Sequence, residues 1–123
     1  MHACTARRNE RTDESLRPRQ RLSRNRDFAR VFRKGMRVER GPFVLYGVRN
    51  GLPFARLGVR VSKRSGPAVR RTYLRRCVRE VFRRWLKTCV AGLDLVVIVR
   101  RRADFAEAKT HLERAAARLC GSL

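Results

Sequence analysis

The chain has 123 residues, a formal net charge of +22 and a sequence pI near 11.8. That length fits one domain with a modest core, and so large a positive charge makes polyanions the expected partners. The longest uninterrupted apolar run, Leu95–Val99, is far too short to span a bilayer, and the N-terminus lacks the apolar segment of a signal peptide, so no membrane partner and a cytoplasmic location are expected.

Arginine supplies almost all of the charge, since Lys34, Lys63, Lys87 and Lys109 are the only lysines. A guanidinium pairs bidentately with phosphate and stacks on bases, which favours nucleic acid over a merely solubilising surface. Cys4, Cys77, Cys89 and Cys120 form no C-x-x-C pair and no metal-ligand spacing. Reduced thiols are expected, with Cys77 and Cys89 packed as small apolar residues.

Residues 1–21 carry mixed charge, almost no large apolar side chains, and Pro18. They are expected to form a disordered basic extension, leaving residues 22–123 as one RNA-binding domain. From Leu22 the pattern turns helical: Ser23 or Asn25 can cap a helix carrying Phe28, Val31 and Phe32, and Gly35 can end it after Lys34. Met36–Arg40 shows only a weak strand signal. Phe43–Val48 is rich in β-branched and aromatic residues, and Asn50-Gly51 followed by Pro53 is a turn signal. In Phe54–Ser62, Leu57, Val59 and Val61 alternate with Arg56, Gly58, Arg60 and Ser62. These two runs predict a hairpin with one apolar face on a core and one basic face open to a ligand.

The stretch Gly66–Lys87 predicts a helix with two unlike sides. Leu74, Val78, Val81 and Trp85 fall on one stripe, while Arg75, Arg76, Arg79 and Arg83 fall on another. Pro67 suits the first helical position, and the helix is expected to end near Ala91-Gly92. Glu80 can pair with Arg76 and Arg84 at (i, i+4), but one carboxylate cannot neutralise so many guanidiniums. Leu93–Val99 reads as an interior strand, apolar on both faces, and Asp104 can cap a last helix carrying Phe105, Ala108, Leu112, Ala115 and Leu119.

No constellation for catalysis is evident. A two-metal nuclease needs converging carboxylates, whereas Glu80 stands alone in the basic helix and Asp94 and Asp104 flank the last strand at opposite ends. Neither His2 nor His111 sits in an acid–base or nucleophile pattern, and no Gly-rich phosphate loop is present. The basic face therefore reads as a binding surface with no protein-borne catalytic residue, metal or cofactor.

The segments RLSRNRDFARVFRKG (Arg21–Gly35), FVLYGV (Phe43–Val48), LGVRVSKRSGPAVRRTYLRRCVREVFR (Leu57–Arg83) and DLVVIVRR (Asp94–Arg101) resemble bacterial ribonuclease P protein subunits in order and spacing. The most specific part is V-S-K-R-x-G-x-A-V-x-R-x-x-x-R-R-x-x-R-E, which is similar to the arginine-rich signature helix of that family. Thr72 and Tyr73 follow Arg71 where the family usually has Asn-Arg, and Pro67 replaces its usual Asn.

The resemblance implies an α+β fold, an α/β sandwich with a mixed sheet of about four strands and three helices in the order αβββαβα, with a left-handed βαβ crossover. It also implies two RNA-binding surfaces. Lys63, Arg64, Arg70, Arg71, Thr72, Tyr73, Arg75, Arg76, Arg79 and Arg83 would meet the catalytic RNA subunit. Phe28, Phe32, Tyr46 and Arg60 would line a cleft for the single-stranded 5′ leader of precursor tRNA, where rings stack on unpaired bases and cations track the backbone. The implied activity is endonucleolytic removal of the leader, with Mg²⁺ held at the active centre of the RNA and one protein per RNA. A structural RNA-binding protein of ribosomal type is the alternative; a protein-only nuclease and a DNA-compacting protein are weaker ones.

Overall fold

A computed structural model describes residues 18–123. The expected disorder of residues 1–17 lies outside that range, but residues 18–21 belong to the fold. Pro18–Gln20 forms a 3₁₀ turn, Gln20 is buried, and Arg21 pairs with Leu57 in a parallel bridge. Leu22 then donates its N–H to the Leu57 carbonyl at 2.8 Å and buries its side chain.

Helix α1 spans Asn25–Lys34, as the spacing of Phe28, Val31 and Phe32 predicts. Arg24, rather than Ser23 or Asn25, occupies its cap position, without a side-chain hydrogen bond. Strands β1 (Met36–Arg40), β2 (Phe43–Arg49), β3 (Arg56–Val61) and β4 (Leu93–Val99) form one sheet in the order β1-β2-β4-β3. The first two junctions are antiparallel and β4–β3 is parallel. Helix α2 (Ala68–Val81) connects β3 to β4, and α3 (Phe105–Ser122) closes the chain, giving the mixed sheet and the αβββαβα order.

The expected β2–β3 hairpin does not form. The two strands run in opposite directions, but β4 lies between them and pairs with both. The turn itself is real: Gly51 has φ +71°, and Asn50 Oδ1 accepts the N–H of Leu52 at 2.8 Å. Its consequence differs, because Asn50 Nδ2 donates to Phe54 O at 3.2 Å and to Asp94 Oδ1 at 2.9 Å, tying the loop across the start of the intervening strand. The true hairpin is β1–β2, through Gly41 at φ +55° and Pro42. Doubly apolar β4 makes the better interior strand, so burial decides the order.

Alternation along β4 divides the interior in two. Leu93, Leu95, Val97 and Val99 join a core with Leu74, Cys77, Val78 and Val81 of α2 and Ala108, Leu112 and Leu119 of α3. Val96 faces the other way, onto Leu22, Phe28 and Val31, with Phe32, Tyr46, Val48 and Ile98 at the margin. Helix α1 therefore covers one face of the sheet while α2 and α3 cover the other.

Helix α2 ends earlier than its sequence predicts, at Val81, and continues as a π turn over Phe82–Leu86, closed by Lys87 N–H on Phe82 O at 2.9 Å. The wider turn lets Phe82 and Leu86 enter the core, while Trp85 packs on Phe105 with ring centroids 6.0 Å apart. Pro67 stands at the cap position, one place before the expected one. The cap expected at Asp104 is present as a full capping box: its carboxylate accepts Glu107 N–H at 2.8 Å, and Glu107 Oε1 accepts Asp104 N–H at 3.1 Å. Cys77 and Cys120 are free thiols, and Cys77 and Cys89 both pack with the core, Cys77 inside it and Cys89 at its margin.

Candidate nucleic-acid interface

The outer side of α2 is one basic surface. Thr72, Tyr73, Arg76 and Arg79 are exposed along it, as are Lys63 and Arg64 in the 3₁₀ turn that leads in, while Arg70, Arg71, Arg75 and Arg83 are half-buried at its margins. Gly66, at φ +125°, permits the sharp entry into the helix, and Arg71 Nε donates to its carbonyl at 3.2 Å. Arg83 is engaged by Glu80 at 2.5 Å, and Arg84 adds a second ion pair to the same carboxylate at 3.3 Å. The hydrogen bond from Arg83 and the neighbouring positive charges hold the Glu80 carboxyl below its usual range. Glu80 thus faces the next turn of the helix, with Arg83 taking the place expected for Arg76.

Crowding of like charge shows at Arg79. Desolvation, followed by repulsion from Arg21 and Arg75, lowers its pKa from the ordinary guanidinium value. Guanidiniums gathered on one face with a single carboxylate favour an anionic partner. The replacements at positions 72 and 73 keep polar and aromatic capacity there. The Tyr73 ring is 41 % exposed, next to Val69 at 82 %, and the hydroxyl is raised in pKa chiefly by its hydrogen bond to Cys77.

The second set of residues meets across α1 and the sheet. Phe32 and Tyr46 make an edge-to-face pair with centroids 5.0 Å apart, and Phe28 lies 6.3 Å from Phe32. The Arg60 guanidinium sits 4.2 Å from the Phe28 ring centroid and 5.9 Å from that of Phe32. Phe28, Phe32, Tyr46 and Arg60 are therefore brought together. They are not equivalent, because Phe28 is 7 % exposed and forms the floor of the cleft, leaving Phe32 and Tyr46 half-exposed as its walls.

Sequence alone does not single out Arg37. Pairing of β1 with β2 puts it opposite Tyr46, and a hydrogen bond to that residue is the chief cause of its raised pKa. The alternation of Met36, Val38 and Arg40 against Arg37 and Glu39 is the signal that points to it. Asp94, an isolated carboxylate in the sequence, has a different standing in the fold. It is fully buried, hydrogen-bonded by Arg56 at 2.7 and 2.8 Å and by Asn50 at 2.9 Å, and ion-paired with Arg30 of α1. Burial pushes its carboxyl up, but those hydrogen bonds and charges outweigh burial and leave the pKa lowered. Asp94 thus clamps to the sheet the helix that carries Phe28 and Phe32.

Among the described residues no group of three or more His, Cys, Asp or Glu could hold a metal ion, and no helix is long and apolar enough to cross a membrane. Comparison with known proteins agrees with the geometry. A family model described as Ribonuclease P matches residues 16–120. The ribonuclease P protein component of Thermotoga maritima is 42 % identical over 89 residues, covering 72 % of this chain and 76 % of that protein. Its counterpart in Geobacillus thermodenitrificans is 36 % identical over 96 residues, covering 75 % and 79 %. Among solved structures, the RNase P protein from Thermotoga maritima superposes with a TM-score of 0.70 at 35 % identity, covering 80 % of this chain and 96 % of that one. The RNase P protein of Staphylococcus aureus gives 0.68 at 31 %, covering 80 % and 93 %. The chain belongs to the ribonuclease P protein family, and so is a subunit of the endoribonuclease of tRNA 5′ maturation, whose catalysis sits in its RNA subunit.

Proposed function

We propose that this subunit binds two RNAs at once, the catalytic RNA along α2 and the 5′ leader of precursor tRNA in the cleft beside α1. The observation that carries this reading is the placement of the two sets on opposite layers of one sheet, so that neither occludes the other. The α2 surface, with Lys63, Arg64, Arg70, Arg71, Thr72, Tyr73, Arg75, Arg76 and Arg79, neutralises phosphates; Arg83 acts by holding Glu80 out of the way. Phe32 and Tyr46 stack on leader bases, Phe28 supports them, and Arg60 and Arg37 meet the backbone.

On this reading Mg²⁺ resides at the active centre of the RNA, one protein joins each RNA, and the complex works in the cytoplasm. Neutralised phosphates lower the Mg²⁺ the RNA needs, and leader contacts favour precursor over product, because product has no leader to hold.

The test is single-turnover cleavage of 5′-labelled precursor tRNA by the cognate RNA at low Mg²⁺, with and without the protein, and with protein alone. Stimulation that needs both components supports the reading. Tight, salt-sensitive RNA binding without stimulation would replace it with a structural RNA-binding role.

A further inference from the structure

A third basic site lies outside both surfaces. An open cleft of about 480 Å³ is bounded by the segment that leads into α1, by the first turn of α1, and by the loop between β2 and β3. Arg19, Arg21, Arg24 and Arg26 line it, all exposed, and among the described residues Asp27 is the one acidic residue in its wall. Arg56 also reaches it, but that charge is already matched by Asp94. The Arg19 guanidinium lies 4.8 Å from the Phe54 ring centroid, and Leu52 is exposed alongside. The site therefore combines surplus guanidiniums with an apolar ledge, as a phosphate with its attached nucleoside requires.

It is separate from the leader cleft. Arg60, on the Phe28 and Phe32 side of α1, and Arg56, on the Arg30 side, are four residues apart on β3, or roughly 13 Å at about 3.3 Å per residue. It is continuous instead with α2. Arg21 bridges to Leu57 on β3, an outer strand of the sheet, and is close enough to Arg79 to repel its charge.

We infer that the arginine-lined cleft at the start of α1 binds a phosphodiester of the catalytic RNA, on a strand that leaves α2 and passes around the β3 edge. The inference rests on the proposed RNA-subunit role of α2 and adds to it an anchoring point built from a different part of the chain. Its ligand chemistry, an RNA phosphate with an unpaired nucleoside, is shared by precursor tRNA, so the two RNAs must be tested apart.

The experiment uses the full chain and the cognate RNA. The pair Arg19→Ala with Arg24→Ala is compared with Arg114→Ala with Arg118→Ala, two exposed arginines on α3 that remove the same charge from the opposite layer. Affinity for the catalytic RNA alone, and of the holoenzyme for precursor tRNA, is measured across a salt series. The first pair is expected to weaken catalytic-RNA binding at least tenfold more than the α3 pair. Its log–log salt slope should drop by about 0.7–0.9 for each phosphate that is no longer neutralised. Arg19→Lys with Arg24→Lys should restore the slope, which a folding defect would not allow. Equal effects of the two alanine pairs overturn the inference, and so does weakening seen only with precursor tRNA. Failure of the wild-type protein to stimulate cleavage in the same preparations would instead remove the functional reading on which both surfaces depend.

Discussion

Gly58 of β3 carries no side chain in the space that the Phe28 ring fills: a Cβ there would lie 2.6 Å from Phe28 Cζ and 3.2 Å from Leu22 Cβ. The ring is the floor of the aromatic cleft, so the geometry of that cleft depends on an absent methyl group. Gly58→Ala is expected to destabilise the fold by about 1–3 kcal/mol, as overpacking of a filled site does. It should also tilt α1, so that leader-dependent precursor affinity falls while affinity for the catalytic RNA, bound on the other layer, is retained. Denaturant unfolding and the two binding constants check this together.

The walls of the cleft give a sharper functional prediction. Phe32→Ala with Tyr46→Ala removes both half-exposed rings, and base–aromatic stacking contributes about 1–3 kcal/mol per base. Precursor affinity of the holoenzyme should fall by at least about fivefold, one ring's worth of stacking at the low end of that range. Affinity for mature tRNA should not change. Equal losses for precursor and mature tRNA would sink the leader assignment.

Asp94 makes the clamp on α1 sensitive to acid. Its folded pKa is lowered, so the stabilisation is complete above the unfolded carboxylate value, about 3.9, and is lost as pH falls through the lower folded value. Asp94→Asn should flatten that acid limb and reduce stability at neutral pH by about 2–3 kcal/mol. This is below the range for a fully buried pair because Arg30 and Arg56 are partly exposed. Unfolding curves between neutral and strongly acidic pH measure both effects.

Charge on α2 should read out in salt dependence more than in fold. Arg75→Ala with Arg76→Ala removes two guanidiniums from the outer surface, and the log–log slope of catalytic-RNA binding should fall by about 0.7–0.9 per phosphate left without its guanidinium. The melting temperature should stay near that of the parent, since neither residue belongs to the buried core. An unchanged slope would place the RNA elsewhere on the molecule.

The cap of α3 offers a control on the energetics of the scaffold. Asp104→Ala removes the carboxylate that accepts the Glu107 N–H, while the backbone N–H at position 104 can still donate to Glu107, and should cost about 1 kcal/mol, read as a lower unfolding midpoint with unchanged RNA affinity.

Local chemistry made most of the elements legible in advance. The apolar spacings of α1, α2 and α3, the doubly apolar β4 and the Asp104 cap are properties of short stretches, and so is the arginine excess on α2, which its single carboxylate, Glu80, is too little to neutralise. Which strand lies beside which is not a local property. Asn50-Gly51 predicts a turn equally well whether β3 returns next to β2 or one strand away. The choice follows from burying both faces of β4, which comes later in the chain. The same insertion brings Asp94 to Asn50, Arg56 and Arg30, and β1 pairing brings Arg37 to Tyr46. Composition and periodicity determined that this protein is a small binder of polyanions with helical and strand segments and with aromatic residues at its first helix, and the resemblance of its motifs to a family implied the α+β fold. Only the tertiary structure decided which aromatic is floor and which are walls, and which arginines are held by acids and which face outward, because those distinctions depend on contacts between residues far apart in sequence.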